Sequence, residues 1–200
     1  QIFSGFLAGA GQIMKIILIG CRASGKSTVG RLLSRKLGIP FVDADRLIEK
    51  TAGMSIAEIV ALKGWQEFRR RETQILASLQ EPTVCVLATG GGAVLTDENR
   101  KLLKKTGVVI YLKADLPDVV ERLRRDVKHA NSRPPLAAGD LIEETRVVLA
   151  ERTPLYEATA DYSVDTRNKN IVQVAEEINR QLLKAGIVSE IKTLKKKTIP

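Results

Sequence analysis

Between Lys15 and Leu183, stretches that are apolar at every position alternate with stretches whose apolar residues recur every three or four positions. Ile16-Ile17-Leu18-Ile19 is of the first kind and rich in β-branched side chains, which predicts a strand buried on both faces. From Ser27 to Leu37, Val29, Leu32, Leu33 and Leu37 fall at helical spacing, and Gly38 with Pro40 ends that helix. Phe41-Val42 reads as a short second strand. Residues 46–80 read as helix in several pieces, punctuated by Gly53 and Gly64, with Ser55 and Glu58 spaced as a capping box. Pro82 opens a third strand over Val84-Cys85-Val86-Leu87, which runs into Gly90-Gly91-Gly92. Asp97 is the expected cap of the next helix. Val108 to Leu112 is a fourth strand, followed by a helix with Pro117 near its start. Lys128 to Gly139 has no apolar period and contains Pro134 and Pro135, so it reads as a loop of about a dozen residues, long enough to suggest a function. A helix over Leu141–Arg152, a fifth strand at Tyr162-Ser163-Val164 and a last helix over Ile171–Leu183 complete the pattern.

Strands that alternate with helices predict an α/β fold of three layers, with helices on both faces of a central five-stranded parallel sheet. Ligands of such sheets bind at the carboxyl ends of the strands. A chain of 200 residues favours one domain, placed at 14–185, with a lid at about 127–139. Residues 186–200 read as a polar, basic C-terminal tail. Residues 1–13 carry no charge and three glycines, and they read as a leader or non-native segment before Met14. That run is too short to span a bilayer, which takes about 20 residues. Cys21 and Cys85 stand apart, with no C-x-x-C or Cys/His spacing, which argues against a structural zinc site and fits a reducing cytoplasm. The net charge of +9 suggests an anionic partner. Aromatic residues do not interleave with the basic ones, so nucleic acid is not the expected partner.

The chemistry begins at Gly20-Cys21-Arg22-Ala23-Ser24-Gly25-Lys26-Ser27, a G-x-x-x-x-G-K-[ST] loop between a predicted strand and a predicted helix. Backbone N–H groups of such a loop bind phosphate oxygens, aided by the helix dipole. Ala23, Ser24, Gly25, Lys26, Ser27 and Thr28 are the expected ATP-binding residues, with Lys26 reaching the β- and γ-phosphates and Ser27 a Mg²⁺ ligand. Asp43-x-Asp45 follows the second strand: one carboxylate suits Mg²⁺ through water and the other suits a substrate hydroxyl proton, although Asp45 also reads as a helix N-cap. In Phe68-Arg69-Arg70-Arg71-Glu72, Glu72 can pair with Arg69 on one helix face, while Arg70 and Arg71 read as solvated. Gly90-Gly91-Gly92 either lets a ligand approach backbone N–H groups or forms a hinge. Arg133 in the long loop suits charge stabilisation at the γ-phosphate as the loop closes; His129 beside it reads as a surface residue.

This ordered set, closing with Arg152-Thr153-Pro154-Leu155-Tyr156, resembles the shikimate kinase family of P-loop kinases, over about Met14 to Ile178. The resemblance implies transfer of the ATP γ-phosphoryl group to the 3-hydroxyl of shikimate by a cytoplasmic monomer with Mg²⁺. It implies Lys26, Asp45 and Arg133 in catalysis, with Asp45 the base, and Asp45, Arg69, Gly91 and Arg152 on shikimate, the two arginines on its carboxylate. It implies Asp43 beside Ser27 at the metal, Arg133 over the phosphates, and basic residues near Arg125 and within Arg167 to Lys169 flanking adenine. The chain departs from the family pattern at Pro135 in the lid, at Trp65 where an acidic residue is usual, and at Ala23 where glycine is common, which is tolerable if φ is negative there. Rivals are a related kinase for a metabolite such as gluconate, a nucleotide-binding homologue without catalysis, and a basic nucleic-acid-binding module.

Overall fold

The computed structural model describes residues 15–80, 84–127 and 140–198. The leader, Met14, Pro82 and the lid with His129, Arg133, Pro134 and Pro135 lie outside the described residues. Five strands, β1 (Lys15–Ile19), β2 (Phe41–Asp43), β3 (Cys85–Ala88), β4 (Gly107–Lys113) and β5 (Tyr162–Asp165), form one parallel sheet in the order β2-β3-β1-β4-β5. The expected sheet is therefore present.

Period-two alternation sends successive side chains of β1 to opposite layers. Ile16 and Leu18 join Val29 and Leu33 of α1 (Lys26–Leu37) and Val174, Ile178 and Leu182 of α7 (Ile171–Lys184). Ile17 and Ile19 join Leu76 of α3 (Ile56–Ser78), Leu103 of α4 (Asp97–Thr106), Val119 of α5 (Leu116–Val127) and Tyr156 of α6 (Leu141–Thr159). A smaller core of Ile48, Ile56, Ile59 and Phe68 joins α2 (Ala44–Ala52) to α3. Both apolar faces of the central strand are thereby removed from water, as its uninterrupted sequence requires.

Three local expectations change. Thr96, not Asp97, caps α4, because its hydroxyl accepts the Asn99 N–H. The helix expected to end at Arg152 continues through Pro154 to Thr159. Burial of Tyr156 and Thr159 outweighs the backbone hydrogen bond that proline lacks. Past Gly186 the chain is not a polar tail: α8 (Ile187–Thr198) seats Ile187, Val188 and Ile191 in the same core as α7. In α3, Gly64 takes φ 78 and ψ 170 and breaks the helix where the sequence marks it.

The connections out of β1 and β3 run to opposite sides of the sheet, so a crevice opens between their carboxyl ends. The Gly20–Ser27 loop and the Gly90–Gly92 turn leave the sheet on either side of it.

Candidate active site

The loop after β1 is built around backbone donors and one ammonium group. Gly25, at φ 93, is the N-cap of α1 and supplies no side chain to its orphan N–H groups, which stay available to an anion. Lys26 folds into the loop, and its Nζ donates to Gly20 O at 2.9 Å and Cys21 O at 2.6 Å. Ser24 N–H closes a turn on Cys21 O at 3.3 Å, and Ala23 within it takes φ 60. The negative φ under which alanine is tolerable at this position is therefore not what the loop adopts.

Ser27 Oγ donates to Asp43 Oδ2 at 2.7 Å, which links the first helical turn of α1 to the end of β2. Asp43 also caps α2, its Oδ1 accepting the Arg46 N–H at 3.4 Å. The capping role considered for Asp45 thus belongs to Asp43, and Asp45 sits in the first turn of α2. A hydroxyl and a carboxylate are hard oxygen donors that suit Mg²⁺, which keeps most of its waters beside a phosphate.

The three glycines after β3 each admit a different neighbour. A Cβ at Gly90 would collide with Glu72 Oε1 and stand 2.8 Å from Asp45 Oδ1. One at Gly91 would stand 3.0 Å from the backbone N of Arg22 in the phosphate loop. One at Gly92 would lie inside the Arg69 guanidinium. None of the three has positive φ, so their value is space rather than backbone freedom. Asp45, Arg69 and the phosphate loop therefore close on one turn.

Arg69 Nη1 pairs with the buried Glu72 at 2.6 Å, the i,i+3 contact its spacing suggests. Its guanidinium also lies 5.6 Å from the Trp65 ring centroid and 5.0 Å from that of Phe68. Trp65, where the family pattern has an acid, thus gives Arg69 an apolar wall instead of a second charge. Arg70 and Arg71 turn to Glu67. From α6, Arg152 is 7% exposed and its Nη1 reaches Gly91 O at 3.4 Å. Its Nε is buried without a hydrogen-bond partner among the described residues. The two arginines flank the same turn, and a buried guanidinium with an unused donor suits an anion.

On the other side of the phosphate loop lies a cavity of about 460 Å³ bounded by Ala23, Gly25, Thr28, Arg122, Lys169 and Ile171. The α5 cation that reaches it is Arg122, whose Nη1 donates to Ala23 O at 3.3 Å. Arg125, one turn on, pairs with Glu121 and is largely exposed. Arg167 pairs with Asp165, while Lys169 bounds the cavity and pairs with Glu177. Arg122 and Tyr156 are the residues that sequence reasoning gave no role. Arg122 carries no motif, and its only signal is an i,i+4 pairing with Asp118. Tyr156 was visible only as the last letter of a motif.

A family model described as shikimate kinase matches residues 22–183. The shikimate kinase of Symbiobacterium thermophilum is 42% identical over 173 residues, 86% of this chain and 98% of that protein. That of Nitrosococcus oceani is 44% identical over 167 residues, 84% and 86% of the two chains. Among solved structures, the shikimate kinase from Acinetobacter baumannii in complex with shikimate superposes with a TM-score of 0.80 at 35% identity, covering 88% of this chain and 96% of that one.

Proposed function

This chain belongs to the shikimate kinase family, and from that premise we propose that it transfers the γ-phosphoryl group of ATP to the 3-hydroxyl of shikimate, giving shikimate 3-phosphate and ADP. The observation that supports this most is the convergence of Asp45, Arg69 and Arg152 on the Gly90–Gly92 turn, which itself lies against the phosphate loop.

In this scheme ATP lies along the loop, with its phosphates on the backbone N–H groups of Ala23 to Thr28 and its base in the cavity beside Arg122 and Lys169. Lys26 exchanges its two carbonyl partners for β- and γ-phosphate oxygens. Ser27 and, through water, Asp43 would hold Mg²⁺, which when bound would offset charge on the phosphates. Arg69 and Arg152 pair with the acceptor carboxylate through planar forks that a lysine cannot match. Asp45 orients the 3-hydroxyl and takes its proton as the oxygen attacks phosphorus and the bond to the ADP oxygen breaks. Arg133, outside the described residues, is assigned to the phosphates as the lid closes. The enzyme acts as a cytoplasmic monomer with ATP and shikimate as its partners. Among the described residues no helix is long and apolar enough to cross a membrane.

A coupled assay of ADP release with shikimate, with gluconate and without acceptor tests the scheme. Only shikimate is expected to support turnover. Arg69→Ala and Arg152→Ala each raise the shikimate KM roughly ten- to a hundredfold, the size of a lost charge-assisted pair. Equal turnover of gluconate, or an unchanged KM in both variants, overturns it.

A further inference from the structure

Tyr156 is fully buried, yet it ends in a hydroxyl beside the active-site turn. That hydroxyl donates to Gly91 O at 2.5 Å. Arg152, one helical turn earlier on α6, reaches the same oxygen only at 3.4 Å, the outer limit of a hydrogen bond. The two donors thus share one carbonyl, whose oxygen has a lone pair for each, and the hydroxyl makes the shorter contact. The tyrosine ring is fixed by stacking on Tyr111 of β4, with centroids 5.0 Å apart at 26°. Burial pushes its hydroxyl well above the ordinary phenol range, so it stays a proton donor at every pH the enzyme meets.

With the hydroxyl removed, Gly91 O loses its shorter partner, and the turn on which Arg152 leans is held from α6 only by the long guanidinium contact. We propose that Tyr156 is a positioning residue: its hydroxyl anchors the Gly91 carbonyl that Arg152 also meets, and so fixes the turn against which the Arg152 guanidinium is aimed at the carboxylate of the acceptor. This rests on the role assigned to Arg152 above. It assigns the tyrosine of the R-x-P-L-Y segment a part in acceptor affinity rather than in packing alone.

The test is a double-mutant cycle of Tyr156→Phe and Arg152→Ala, read as KM for shikimate, KM for ATP and kcat. Tyr156→Phe keeps the ring and its stack, so the fold is retained and the melting midpoint moves by no more than roughly 5 °C. The shikimate KM is expected to rise about three- to tenfold, the range of one net hydrogen bond, with the ATP KM and kcat nearly unchanged. In the Arg152→Ala background the same change is expected to add less than about twofold, because the two residues act through one contact. Direct calorimetry of shikimate binding gives the same four values without turnover. An unchanged KM in Tyr156→Phe, or a full effect that persists without Arg152, overturns the inference while wild-type activity stands. A wild-type enzyme that does not release ADP with shikimate overturns the functional scheme, and this inference with it.

Discussion

At Ala23 and at Gly92 one atom decides what the site can do. Ala23 stands at φ 60 inside a turn, a conformation that costs an L-residue about 1–2 kcal/mol and glycine nothing. Part of any gain from glycine is lost to the greater freedom of the unfolded chain, roughly 0.4–1 kcal/mol. Ala23→Gly is therefore expected to raise the melting midpoint by roughly 1–3 °C in a thermal melt, with the ATP KM changed less than about twofold. Gly92 is different, because what a side chain would displace there is the Arg69 guanidinium. Its flexible stem can move, so Gly92→Ala costs little stability. The shikimate KM should nonetheless rise on the order of tenfold in steady-state kinetics, since the fork is pushed off the turn. Asp43 allows a cleaner separation. Asparagine caps a helix as well as aspartate does. Asp43→Asn should leave the melting midpoint within roughly 2 °C while raising the Mg²⁺ needed for half-maximal rate on the order of tenfold.

Two helices matter beyond what their own sequences say. In α6, proline at 154 argues for an end, yet the helix runs on and keeps Arg152 and Tyr156 in i,i+4 register on one face. That register brings both side chains to one carbonyl. The second is α8, which begins just past the residues matched by the family model. Its lysines make it read as polar, but Ile187, Val188 and Ile191 recur at helical spacing and are buried against α7 and the sheet. Ile191→Ala should destabilise the protein by roughly 2–4 kcal/mol and lower the midpoint by roughly 5–10 °C. Because α8 follows the far end of α7, about 20 Å of helix from Ile171 at the cavity, the KM values of the folded variant should not change.

At the scale of the molecule, the sheet order β2-β3-β1-β4-β5 produces the site, because it sets the exits of β1 and β3 side by side. Residues 20–27 and 90–92, some seventy positions apart in sequence, then share a wall, to which α2 brings Asp45, α3 brings Arg69 and Glu72, and α6 brings Arg152. The strands, the phosphate loop and the Arg69–Glu72 pair were legible beforehand, because each depends on residues a few positions apart whose periodicity or spacing carries the information. The cavity cation Arg122 and the core role of α8 were not, because each is settled by partners distant in sequence, while the cap at Asp43 and the left-handed Ala23 depend on short-range contacts that the sequence offers in more than one register. The chain by itself determined which local structures form and which chemical groups are present, since apolar period, turn residues and capping are local energies. Only the tertiary structure decided which groups meet, since bringing Tyr156 and Arg152 of α6 to the carbonyl of Gly91 after β3 depends on how those elements pack.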